Sequence, residues 1–170
     1  MLEVVIKDSE LCKAAAAGMD AFVETFVNAI KEAIGGELTA DNMQSLNADQ
    51  ITLLGYSILR DEVMSGGFIQ LIHNGYGDFI YRNPFDKAVR AWGLTDLYRI
   101  ISKSHKQYNI HHEQIEQDCT DEEFMALYEA MPKFDDFDDA FIEGEEQFTQ
   151  MIAAYIDDHI DNFAIVDKEK

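Results

Sequence analysis

The chain has 170 residues, with 33 acidic against 13 basic side chains, a net charge of −20 and a pI near 4.3. A field of that sign repels nucleic acid and anionic membranes and attracts basic proteins and cations. Hydrophobic residues make up 47% of the chain, including 11 Phe and 7 Tyr, which excludes a disordered polypeptide and is enough to form one core-bearing domain over residues 1–170.

In chain order, Leu11, Ala15, Met19, Phe22, Phe26, Ile30 and Ile34 recur at three- to four-residue spacing, which predicts one amphipathic helix stopped by Gly35-Gly36. It is the main element of an N-terminal addition, residues 1–36. Asn47 is a candidate N-cap for a second helix carrying Ile51, Leu54, Ile58 and Val63, with an end expected near Ser65-Gly66-Gly67. Residues 67–77 read as a short helix closed by Asn74-Gly75; a strand over Phe68–Ile72 would find no partner strand. Asn83-Pro84 opens a helix that stops at Gly93, and Thr95 caps the next, with Leu97, Ile101, His105 and Tyr108 on one face. Thr120 and Glu123 form a capping box, and Pro132 ends the helix that follows. Phe134, Phe137 and Phe141 then recur at helical spacing among acids, and Phe148, Ile152, Ile156 and Phe163 mark the last helix. The expectation is an all-α fold of seven or eight helices in a single domain.

The sequence holds no assembled catalytic or metal motif. His112 and Glu116 sit four apart, but no second ligand pair follows, and Asp157-Asp158-His159 is no stronger. The run Asp135–Glu146 fails as a calcium loop, since its sixth position is Ala140 or Phe141 where that loop needs Gly. Nucleophile-elbow and phosphate-loop patterns are missing. Cys12 and Cys119 are too few for a disulfide framework and read as reduced cytoplasmic thiols. No apolar run approaches the ~18 residues of a membrane span, and the first residues lack the basic region of a signal peptide. Neither cofactor nor metal is expected.

What stands out is the distribution of charge. From Glu113 onward there are 19 acidic and 3 basic residues, against 14 and 10 before it. Asp135, Asp136, Asp138, Asp139, Glu143, Glu145 and Glu146 lie within 12 residues, interleaved with Phe134, Phe137 and Phe141. If the phenylalanines face inward, the carboxylates are driven outward as a ridge that Glu113, Glu116, Asp118, Asp121, Glu122 and Glu123 could extend. The plainer reading of such a run is a solvated helix face.

Residues 61–77 carry Glu62, Val63, Gly66, Gly67, Phe68, Gln70, Asn74 and Gly77 in the pattern Glu-Val-x-x-Gly-Gly-Phe-x-Gln-x-x-x-Asn-x-x-Gly. This resembles the DNA-mimic-protein-like family of small helical bacterial domains, and the likeness extends over residues 47–163. The resemblance implies an all-helical acidic domain, with a namesake that is a dimer and sequesters a DNA-binding regulator by imitating DNA. The glycines and Gln70 are expected to shape a turn and the core. The leading expectation is a non-enzymatic protein whose acidic ridge docks a basic, DNA-binding partner. An immunity or inhibitor protein for a basic toxin or nuclease is the alternative, and an enzyme using Gln70, His73 and Asn74 in a pocket near Gly66–Gly77 is the third reading.

Overall fold

A computed structural model describes residues 2–168. The chain runs β1 (Val5–Lys7), α1 (Asp8–Ala17), α2 (Met19–Ile34), α3 (Ala40–Met43), α4 (Ala48–His73), α5 (Gly77–Arg82), α6 (Phe85–Ala91), α7 (Thr95–Glu116), α8 (Asp121–Ala130), α9 (Lys133–Asp158), α10 (Ile160–Phe163) and β2 (Ile165–Asp167). The fold is all-α, with ten helices among the described residues rather than seven or eight. Part of the excess is a break in the first predicted helix: Gly18 adopts φ 132°, so the apolar stripe from Leu11 to Ile34 is carried by two helices. Short helices α3, α5 and α10 add more, while α4 joins the helix expected from Asn47 to the one expected over residues 67–77, and α9 joins the Phe134–Phe141 stretch to the last helix.

The helix ends follow local chemistry. Gly35 and Gly36 are both left-handed, and their N–H groups close on the carbonyls of Glu32 and Lys31. Asn47 and Gln50 exchange side-chain and backbone hydrogen bonds at the start of α4, as do Thr120 and Glu123 at α8. Thr95, expected as a cap, is instead the first residue of α7, and Leu94 precedes it with no side-chain cap. Asn83 likewise caps nothing ahead: its amide turns back to the Phe79 carbonyl.

Cα packing divides the chain into two compact units, residues 1–54 with 147–170 and residues 55–146. In the first, β1 and β2 form a parallel pair in the register Val5 to Ile165, with Ile6 buried. Val23, Phe26, Val27 and Ile30 of α2 are buried there, and Phe26 meets Phe163 edge-on at 6.3 Å. The Gln50 amide donates to the Phe163 carbonyl. In the second unit α5, α6 and α7 pack together, with Tyr81 stacked on Tyr108 at 4.7 Å and hydrogen-bonded to Ser104. Leu59, Val63, Phe68, Ile69, Phe134 and Phe141 supply much of its core. No helix among the described residues is long and apolar enough to cross a membrane.

Candidate functional site

The segment read as a helix end at Ser65-Gly66-Gly67 is a sharp kink inside α4. Gly67 has φ 78° and ψ −176°, a region essentially reserved for glycine, so the helix stops at Gly66 and restarts at Phe68. Such a break leaves backbone groups without partners in the helix. Two other helices supply them. The Phe68 N–H donates to Asp138 Oδ1 of α9 at 2.8 Å, and the Tyr128 hydroxyl of α8 donates to the Gly66 carbonyl at 2.6 Å. A Cβ on Gly67 would collide with the Asp138 carboxylate, and one on Gly66 with the Gln70 side chain. Glu62, one turn upstream, accepts hydrogen bonds from both the Gln70 and the Asn74 amides at 2.9 Å. At the far end of the motif Gly77 lies against the Tyr108 ring, whose hydroxyl donates to Asp78.

The groups named in the catalytic reading are therefore engaged within the chain: Gln70 and Asn74 with Glu62, and His73 Nδ1 with the Ile115 carbonyl at 2.8 Å. His112 and Glu116 approach to 3.3 Å as a pair on α7, and His159 stacks on Tyr155. Among the described residues no three His, Cys, Asp or Glu side chains converge as a metal site would need.

Helix α9 sorts the seven clustered carboxylates into two groups. At about 100° per residue, Asp135, Asp136, Asp139, Glu143 and Glu146 share an arc of about 100°, and all five are exposed. Phe134, Phe137, Phe141 and Phe148 occupy an arc of about 60° on the opposite side. Asp138 and Glu145 fall beside that aromatic arc and are half-buried. Glu145 pairs with Arg60 at 2.8 Å, and Asp138 seats the kink. Burial pushes the Asp138 carboxyl up to about 6, and Asp135 and Asp139 add to the shift against the lowering hydrogen bond from Phe68. Sequence reasoning grouped all seven acids together; projecting them at helical spacing separates the two that turn inward. Of the proposed extensions on α8, Asp121 and Glu122 are exposed in the first turn, where negative charge suits the helix dipole, and Glu123 serves the capping box.

A groove of about 440 Å³ opens at the kink, lined by Val63, Met64, Gly66, Phe124, Tyr128 and Asp138 and edged by Met125 and Ile142. The pocket expected near Gly66–Gly77 overlaps it at Gly66, Gly67 and Gln70, whereas its walls from α8 and α9 left no trace in sequence patterning.

An acidic, all-helical protein with a glycine-kinked helix seated by a carboxylate is the class that fold and site define. Residues 44–159 match the family described as DMP19-like protein, and the chain belongs to that family. A relative from Neisseria meningitidis serogroup B (strain ATCC BAA-335 / MC58), named DNA mimic protein DMP19, is 31% identical over 125 residues, 73% of this chain and 76% of that protein. The match takes in the kink and the whole of α9 and leaves α1 and α2 outside it.

Proposed function

We propose that this protein acts without catalysis, in the cytoplasm, as a DNA mimic that sequesters a basic DNA-binding protein through Asp135, Asp136, Asp139, Glu143 and Glu146. The observation that carries this reading is the single exposed arc. Five carboxylates over a helical rise of about 16 Å stand on average about 4 Å apart along the axis, comparable to the ~3.4 Å of axis per phosphate on one DNA strand. A protein evolved to neutralise phosphates with Lys and Arg would meet a similar line of charge here. The name of the Neisseria relative supports the same reading. Asp138 and Glu145 serve as structural members that hold the ridge helix in place.

The test is competition. A basic DNA-binding protein captured on the immobilised chain at low salt and released by higher salt should lose its duplex DNA when this protein is added. A variant carrying Asp135→Asn, Asp136→Ser, Asp139→Asn and Glu143→Gln should displace DNA at least about tenfold more weakly, with an unchanged thermal melt, because surface changes of this kind alter stability by only about 0.5 kcal/mol. A ternary complex of the captured protein with both DNA and this chain would rule mimicry out. Capture of one basic nuclease or toxin, inhibited on binding, would replace the regulator with that target class.

A further inference from the structure

Three large apolar side chains stand exposed around the kink groove: Met64 of α4 at 45%, Met125 of α8 at 63% and Ile142 of α9 at 48%. Exposed apolar residues scattered singly need no explanation, but three from different helices edging one cleft form a patch. The cleft volume lies within the ~300–1,000 Å³ typical of ligand-binding clefts. Val63, Phe124 and the kinked segment at Gly66 also line the cleft.

The rim is predominantly acidic, and Arg60, four residues before Met64, is paired with Glu145. Residues three and four apart share a helix face, and at that spacing Met125 and Ile142 have exposed acids on both sides and Met64 has one before it. Asp61 precedes Met64, Glu122 and Glu129 flank Met125, and Asp139 and Glu146 flank Ile142. From Glu113 to Glu146 the chain carries one basic residue, Lys133. An apolar cleft inside a carboxylate rim is complementary to an amphipathic helix with an apolar stripe and cationic flanks. A second copy of the chain seated in this groove is a poorer fit than a cationic helix, because the acidic rim would meet itself.

We propose that this groove seats the apolar anchor of a basic amphipathic helix on the protein partner, whose Lys and Arg side chains meet the rim. The proposal rests on the reading of this protein as a binder of basic proteins and gives that binding a second component. Carboxylates steer the encounter and make it salt-dependent, whereas a desolvated anchor governs how long the complex lasts.

Two fluorescein-labelled helical peptides of about 18 residues test it. Both carry the same Lys residues; one has a Leu stripe at helical spacing and the other has Ala in its place. Anisotropy titrations should show the Leu peptide bound at least about tenfold tighter than the Ala peptide. The pair Met125→Ser with Ile142→Ser should bring that ratio to within about twofold while leaving the thermal melt unchanged, since both side chains already face solvent. The ridge-neutralised variant should weaken both peptides alike. A ratio near one for the unaltered protein, or a ratio that survives in the groove variant, overturns the anchor. Failure of the Ala peptide to bind at low salt, or indifference of both peptides to ridge neutralisation, counts against the acidic-binder reading instead. Sedimentation showing a dimer that the groove variant dissociates would assign the groove to a second copy and defeat the proposal.

Discussion

Gly18 and Gly67 interrupt helical runs with a positive φ and an extended ψ. Gly18 has φ 132° and ψ 176°, and Gly67 has φ 78° and ψ −176°, both in the region that side chains exclude. Their surroundings differ completely. Around Gly18 a Cβ would meet nothing within 4 Å, and the backbone bonds to Ala14 and from Phe22 simply pass through the joint. Around Gly67 a carboxylate from α9 closes on the backbone, a hydroxyl from α8 takes up the carbonyl before it, and a groove opens alongside. The first glycine answers only a conformational need. The second answers that need and also admits a side chain from residue 138, so local geometry and tertiary packing are coupled there and not at Gly18.

Replacing Gly67 by Ala is the strongest way to break this comparison. Backbone strain of about 1–3 kcal/mol adds to an orphaned Phe68 N–H of about 1–3 kcal/mol once Asp138 is displaced. We expect a loss of about 4 kcal/mol in chemical denaturation; a loss under about 1 kcal/mol would mean that the kink tolerates a side chain. Gly18→Ala carries the strain alone, with open space for relaxation, and should cost about 1.5 kcal/mol in the same experiment. Equal losses at the two sites would abolish the distinction.

The smallest effect sharpens it. Asp138→Asn keeps an oxygen for the Phe68 N–H but removes the ionisable group. In the fold the Asp138 carboxyl holds its proton up to about 6, whereas its ordinary value is 3.8. The folded state thus binds more protons than the unfolded state between those values, so this group's contribution to stability falls as pH rises across that window. The melting temperature of Asp138→Asn should gain on that of the parent protein from about pH 4 to about pH 6 and run parallel above it. A difference that stays constant with pH would show that Asp138 is not desolvated at the kink.

Much of the molecule was readable before any coordinates. The all-α class followed from apolar spacing, the stops at Gly35-Gly36 and Gly93 from glycine's conformational freedom, and the caps at Asn47 and Thr120 from side chains that bond their own backbone. These are local features, decided within a few residues. The motif Glu62 to Gly77 was equally visible as a pattern, and the family match extends across it.

What escaped the sequence was decided at a distance. Val5–Lys7 and Ile165–Asp167 pair across almost the whole chain, and neither three-residue segment is distinctive by itself. The break at Gly18 was hidden because the apolar stripe continues through it. The groove needs walls from α4, α8 and α9 together. Helical spacing separates Asp138 and Glu145 from the other five acids of α9, but not what they meet: Phe68 and Arg60, some 70 to 85 positions away in the chain, wait there as donors. Sequence periodicity by itself determined which residues could form helices and where charge would accumulate. Only tertiary structure decided which donors meet the two inward carboxylates, because the cost of burying a charge depends on partners that folding alone brings within hydrogen-bonding reach.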